Sequence, residues 1–327
     1  MDQVQKQNVI KQIIEEIYGS TTIAIAGHVS PDGDAVASCL ALAMSLNKLG
    51  KEIVVLLEEI PKRYHFIGGN EFVKTDDLSG LMPDLFISCD CGAKERMGRF
   101  ARVFDKTDKT IVIDHHISNI SYGKINYVDA SSSSASEMVY DILEQMGNMN
   151  KEIAQALYTG IIFDTGGLRF KSTSPDTMVK VAKLMSYGIP FNTIYTDIML
   201  SHTYTEAMIL SKAIGNMKFM EDLPVTYSHI TKEDMDNVGA SRADLEGICE
   251  YLLNTKGSEI AVFISQSGEC QSRASFRSLG FDVNIVASHW GGGGHANAAG
   301  ATIEMGPKEA LQAVLEQISE RYNTNGI

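Results

Sequence analysis

Histidines and aspartates recur in the first half of the chain at points where an apolar run stops. GHVSPDGDAVAS offers His28, Asp32 and Asp34; Asp90 closes DLFISCD; Asp114, His115 and His116 close TIVIDHH; and Asp164 closes IAQALYTGIIFD, ahead of Thr165-Gly166-Gly167. Each has an ordinary reading by itself. Pro-Asp-Gly is a common turn, a lone Asp after a strand is often a cap, and an acid ending a helix faces the unfavourable end of the dipole. Brought together, Asp32, Asp34, Asp90 and Asp164 would repel by roughly 4 kcal/mol per pair at about 4 Å and an effective dielectric near 20. Cations would offset that repulsion. Four carboxylates with two imidazoles supply enough ligands for two divalent ions sharing one bridging acid. The lack of thiolate ligands disfavours structural zinc, and mixed oxygen and imidazole ligation suits Mn2+ best, ahead of iron, cobalt or zinc, with magnesium last.

Such residues need rigid elements to hold them. TTIAIAG, EIVVLLE, DLFISCD and TIVID read as short, continuously apolar strands interleaved with helical segments such as DAVASCLALAMSLNKLG. That pattern predicts a mostly parallel sheet covered by helices, and open α/β sheets place ligands beyond the carboxyl ends of their strands. A helix enters at Ser134, with Glu137 at capping-box spacing; a second follows Asn150; a third runs from Ser174-Pro175 to Gly188. The expected division is a first domain over 1–189, a helical connector over 190–222 and a smaller α/β domain over 223–327, with a cleft between the domains. In the latter, VTYSHI, EIAVFIS and CQSRASFRS read as strands, ADLEGICEYLLN as a helix, and a glycine run precedes a last helix.

Composition narrows the function. The chain has 327 residues, 44% of them hydrophobic, and a net charge of -13. No stretch approaches a membrane span, and the polar start lacks the order of a secretory signal. The odd set of five cysteines reads as reduced thiols, so a cytoplasmic protein is expected. The acidic balance argues against long duplex nucleic acid, whose affinity rests on many Lys and Arg contacts.

Taken in order, these clusters resemble the DHH phosphoesterase superfamily, named for the Asp-His-His at Asp114, His115 and His116, across roughly residues 20 to 170. SFRS followed by GGGGHANAAGA resembles the DHHA1 domain, so the resemblance covers nearly the whole chain. Length and domain content are most similar to the stand-alone NrnA-like group of bacterial nanoRNases and pAp phosphatases. Departures are small: Ala37 stands where Gly is expected, and Ala296 follows His295 where Pro is frequent.

The resemblance implies that His28, Asp32 and Asp90 hold one ion, and Asp34, Asp90, His115 and Asp164 the other. It makes Asp90 the bridge, His116 the group facing the substrate phosphate, and Asp114 the residue orienting an imidazole. It also implies in-line hydrolysis at phosphorus with two-metal activation of water. Substrate would be gripped in the second domain by Arg277, His295 and the backbone of Gly293 and Gly294, with Ser275, Arg273 and Asn297 as weaker candidates. The reaction implied is hydrolysis of very short oligoribonucleotides to mononucleotides and of pAp to AMP, without long duplexes or membranes as partners; the family suggests a homodimer. Alternatives are a phosphodiesterase for cyclic dinucleotides or pApA, a manganese-type pyrophosphatase, a non-catalytic nucleotide sensor, and a nucleic-acid-binding module without chemistry.

Overall fold

The computed structural model describes residues 1–76, 78 and 80–324. In chain order its elements are α1 (Gln3–Tyr18), β1 (Thr22–Ala26), α2 (Gly33–Lys48), β2 (Glu52–Leu56), β3 (Leu85–Cys89), α3 (Ala101–Phe104), β4 (Lys109–Asp114), β5 (Ile125–Val128), α4 (Ala135–Met146), α5 (Lys151–Asp164), α6 (Pro175–Met185) and α7 (Phe191–Met199). There follow α8 (Tyr204–Gly215), β6 (Lys218–Phe219), β7 (Val225–Ile230), α9 (Lys232–Val238), α10 (Ile248–Leu253), β8 (Ile260–Gly268), β9 (Gln271–Ser278), α11 (Asn284–His289), β10 (Gly293–His295), β11 (Ala298–Ile303) and α12 (Pro307–Thr324). They form two compact units, Met1–Ser201 and His202–Ile327.

In the first unit a five-stranded parallel sheet runs in the order β2-β1-β3-β4-β5. Its strands are apolar on both sides because both sides are covered. Ile23, Ile25, Ile87, Cys89, Ile111 and Ile113 pack with residues of α2, α4 and α5. Ala24, Ala26, Phe86 and Val112 pack instead with Met97, Phe100, Val103 and Phe104. The expected parallel α/β sheet is therefore present. Its fifth strand, β5, was not anticipated: INYV is short and carries a polar Asn in a sheet-edge position.

The second unit has a six-stranded sheet, β10-β11-β9-β8-β7-β6, antiparallel except where β7 meets β8. One face packs under α11 and α12, the other under α8, α9 and α10. The expected strands VTYSHI, EIAVFIS and CQSRASFRS are β7, β8 and β9. The glycine run does not stay a loop, since Gly293–His295 pair with β11.

The connector expected over 190–222 is shared out between the units rather than standing apart. Ile194 and Ile198 of α7 bury into the first core, whereas Ile209 and Ala213 of α8 bury into the second. An apolar stripe on each short helix packs into the core of its own unit. The expected capping box at α4 forms only by half. Ser134 Oγ accepts from the Glu137 amide at 3.0 Å, but the Glu137 carboxylate turns to Ser133 and to Lys180. Residues 325–327 of the expected second domain lie outside the described residues.

Candidate metal centre

The strand order reverses between β1 and β3, and in open α/β sheets that reversal opens a crevice at the carboxyl ends. His28, Asp32 and Asp34 follow β1, Asp90 follows β3, and Asp114 to His116 end and follow β4. Asp164 arrives from the last residue of α5. Ligand atoms of three sets lie within 4.8 Å of one another: His28, Asp32 and Asp90; Asp34, His115 and Asp164; and Asp90, His115 and His116.

Local structure fixes each side chain. Asp32 is the N-cap of α2 and uses Oδ1 to accept from the amides of Asp34 and Ala35, both at 3.1 Å. Its Oδ2 is left 3.7 Å from His28 Nε2. His28 Nδ1 donates to the Val29 carbonyl at 2.7 Å; because a carbonyl only accepts, Nδ1 carries the proton and Nε2 presents a lone pair when the ring is neutral. That Nε2 also lies 3.7 Å from Asp90 Oδ2.

Asp34 is fully buried, and its carboxylate accepts from the Ala135 amide at 2.6 Å and the Ser136 amide at 2.9 Å, the first donors of α4. A helix N-terminus suits an anion there. The unfavourable end of α5 at Asp164 is compensated by His115, whose Nε2 lies 3.0 Å from Asp164 Oδ2.

Asp90 sits one residue beyond β3 with φ of 52°, a left-handed conformation that aspartate visits more readily than most residues. It is 2% exposed, and its Oδ1 is buried without any hydrogen-bond partner among the described residues. The His115 Nε2 and His116 Nδ1 atoms approach that oxygen only to 3.4 and 3.7 Å, and a buried carboxylate oxygen without a hydrogen bond is well served by a cation. With only carboxylate oxygens and imidazole nitrogens around it, the donor set fits divalent ions that take oxygen and nitrogen ligands.

Electrostatics point the same way. Burial, then the neighbouring Asp90 and Asp164, push the Asp34 carboxyl well above the usual range. Burial also raises Asp164, against the hydrogen bond from His115. At Asp32 burial is outweighed by the His28 and amide hydrogen bonds, which hold its carboxyl low. Burial opposes charge on His28 and His115, yet the surrounding carboxylates win at both and carry His115 up to about 11. Such shifts mark an excess of negative charge gathered away from water.

His116 is held differently. Its Nδ1 lies 2.8 Å from Asp114 Oδ1, while Asn119 donates to Asp114 Oδ2 at 2.6 Å. The hydrogen bond with Asp114 raises the imidazole above its ordinary value despite burial. Nε2 therefore points away from this anchor. Asn119, the Ala135 and Ser136 amides and Gly160 support the site without being among the residues expected from the sequence. A Cβ on Gly160 would stand 2.7 Å from Asp34 Oδ1 and would collide with Ser136. Asn119 three residues beyond His116 was a legible signal; the others are neighbours only in space.

In the second unit the strand register settles which side chains share a face. Arg273, Ser275 and Arg277 of β9 pair with Thr302, Gly300 and Ala298 of β11, and His295 of β10 pairs with Ala298, so all four candidates lie on one side of the sheet. Arg277 is already engaged: Nε donates to Glu250 at 2.6 Å and Nη1 to the Phe276 carbonyl at 2.9 Å. Gly294, with φ of 155°, falls on the opposite side, and its Cβ would lie 2.6 Å from Ala299 Cα. Gly292 is hemmed in likewise by Ala301. Two glycines of the run thus answer to the close approach of β11, whatever else they do, while Gly293 is free of such contact. Asn297 is exposed in the turn, where its carbonyl accepts from the Ser278 amide.

Comparison with known proteins agrees with this anatomy. Residues 22–161 match the DHH family N-terminal domain, and residues 222–324 match the DHHA1 domain. A protein of Thermus thermophilus named bifunctional oligoribonuclease and PAP phosphatase NrnA is 29% identical over 98% of this chain and 96% of its own. The Bacillus subtilis protein of the same name is 28% identical over 89% and 92%. The crystal structure of an exopolyphosphatase-related protein from Bacteroides fragilis superposes with a TM-score of 0.89 at 27% identity, covering 97% of this chain and 96% of that one. With both models matched in order along one polypeptide, this chain carries a DHH family N-terminal domain followed by a DHHA1 domain.

Proposed function

We propose that this chain is a metal-dependent phosphoesterase that hydrolyses very short oligoribonucleotides to mononucleotides and converts pAp to AMP. The observation that carries the reading is the gathering of His28, Asp32, Asp34, Asp90, His115 and Asp164 at the carboxyl ends of the sheet, with a buried Asp90 oxygen that makes no hydrogen bond among the described residues. The names of the Thermus and Bacillus relatives, aligned over most of both chains, support the substrate class.

His28, Asp32 and Asp90 would hold one divalent ion and Asp34, Asp90, His115 and Asp164 a second, with Mn2+ the best match to this ligand set. Such ions, when bound, lower the pKa of water and neutralise charge on the transferred phosphoryl group. The protein's own groups do the rest. Asp114 and Asn119 fix the His116 ring so that Nε2 can donate to a phosphoryl oxygen. The first amides of α4 keep Asp34 in place. In the DHHA1 domain the Nη2 edge of Arg277, unused by its bonds to Glu250 and Phe276, is offered to a substrate phosphate in a charge-assisted contact, with His295, Ser275, Gly293, Gly294 and Asn297 nearby in the same sheet region.

The test is a panel of pAp, pApA, two- to five-mer RNA, a twenty-mer, cyclic di-AMP and pyrophosphate, assayed with Mn2+ on wild type and Asp90→Asn. Asn tolerates the left-handed backbone at position 90, so the variant should fold. Turnover confined to pAp and the shortest RNAs, falling more than about a hundredfold in the variant, is expected, since even groups outside the ligand shell are worth 10–100-fold. Equal turnover of two-mers and twenty-mers would sink the size preference, and faster turnover of cyclic di-AMP would select the cyclic-dinucleotide alternative.

A further inference from the structure

The loop that leaves Asp164 is closely hydrogen-bonded to its own first residues. Gly166, Gly167 and Leu168 are left-handed in succession, with φ of 56°, 73° and 71°. Their amides are all satisfied: Gly166 N donates to Phe163 O at 3.0 Å, Gly167 N to Ile162 O at 2.8 Å, and Leu168 N to Thr165 Oγ1 at 3.0 Å. Arg169 N and Phe170 N both donate to Thr165 O, at 3.1 and 3.0 Å. Glycine suits two of these left-handed positions, and a Cβ on Gly166 would lie 2.5 Å from the Phe170 ring and one on Gly167 2.7 Å from Tyr195 Oη, so that either side chain would have to shift.

The loop thereby fixes an aromatic ring that the core does not use. Phe170 lies against the Gly166 backbone and is still 49% exposed. The Arg169 guanidinium stands 5.3 Å from the ring centroid, and among the described residues it has no carboxylate partner, in a chain of net charge -13. Both residues spring from a backbone hydrogen-bonded to Thr165, the neighbour of Asp164. A cation and an exposed ring, carried by this hydrogen-bonded loop a few residues beyond Asp164 of the acidic cluster, match the chemistry of a nucleobase followed by a phosphate.

We infer that Arg169 and Phe170 form a base-stacking subsite on the catalytic unit itself, Phe170 receiving the base of the nucleotide beside the scissile phosphate and Arg169 its neighbouring anionic oxygen. The subsite rests on the phosphoesterase reading above. Every base has a π-face, so the subsite grips short RNA without choosing its sequence. It also favours nucleotides over phosphate esters that lack a base, a discrimination that the metal ligands alone do not supply.

The experiment uses the full chain, with Phe170→Ala and Phe170→Trp, each also in the Asp90→Asn background to suppress turnover. Binding is read from the quenching of a 2-aminopurine dinucleotide, and Mn2+-dependent hydrolysis is compared for a dinucleotide and the same molecule with one base removed. We expect Phe170→Ala to weaken quenching and binding by about tenfold or more and to shrink the preference for the base-bearing substrate by a similar factor, while Phe170→Trp keeps both. An unchanged preference in Phe170→Ala overturns the subsite. An equal loss on both substrates, or a loss in Phe170→Trp matching that in Phe170→Ala, overturns it too, since the ring would then be structural. A wild type that binds with quenching lost in Phe170→Ala, yet hydrolyses nothing, supports the subsite and removes the phosphoesterase reading instead.

Discussion

Gly160 shows how much of the site depends on what a side chain lacks. It lies inside α5, where glycine costs a helix about 1 kcal/mol relative to alanine, and propensity alone argues for replacing it. The packing says the opposite, because the added methyl would press within 2.7 Å of Asp34 Oδ1 and into Ser136. Gly160→Ala should therefore lower Mn2+ affinity by about 10–100-fold, the usual cost of disturbing a group that orients a ligand, and isothermal titration would measure it. Asp114→Asn tests the other anchor. It keeps the shape but removes the charge beside His116 Nδ1, and kcat for pAp should fall by about 10–100-fold with less change in KM. A KM effect alone would place His116 in binding rather than in stabilising the reacting phosphoryl group.

At the scale of elements, the N-terminus of α4 is the part that must not move, since its first amides grip Asp34. It is tied to α6 by Lys180, 5% exposed, whose Nζ lies 3.0 Å from Glu137, 2.9 Å from Asp141 and 2.8 Å from Asp176. Thr177 adds a hydrogen bond to Glu137 at 2.9 Å. Removing the cation leaves the buried Glu137 carboxylate without its ion pair, while Asp141 keeps Lys6 and Asp176 faces solvent, so Lys180→Met should destabilise the first unit by about 3 kcal/mol, seen as a lowered midpoint in urea. The pH dependence follows from Glu137. Burial raises its carboxyl, but Lys180 and Ser133 outweigh burial and hold it below 4.5. A depressed folded pKa gives stability that is present above the ordinary value and is lost as pH falls through the folded one. The melting temperature of the first unit should accordingly drop on the acid side of pH 4.5, and Glu137→Gln should flatten that drop.

Across the whole molecule, the two units have separate cores, and the candidate ion ligands found among the described residues lie in the first. Ligand binding stabilises only what binds it, by about 2.7 kcal/mol at a hundred times Kd. Calorimetry of the full chain with saturating Mn2+ should raise the transition of the first unit and leave that of the second in place, and chelation should reverse the shift. Movement of both transitions together would show that the units unfold as one. No helix among the described residues is long and apolar enough to cross a membrane.

Those parts of the protein encoded locally were legible in the chain itself. β1, β3 and β4 announce themselves as apolar runs, and the acids and imidazoles that end them stand at the places where a parallel sheet presents ligands. Asn150 and Ser174 mark helix starts through the caps they form. The rest is long-range. The grip of α4 on Asp34 joins residues about a hundred positions apart, and no spacing rule links them. The division of 190–222 between two cores was decided by which apolar surface each short helix could reach. The shared face of Arg277 and His295, and the engagement of Arg277 by Glu250, depend on strand register and on the placement of α10. Sequence by itself determined the chemistry and the sheet that carries it, because side-chain type and hydrophobic period are local properties. Tertiary structure alone decided the supports, because hydrogen bonds and steric gaps between distant segments exist only once the chain has closed upon itself.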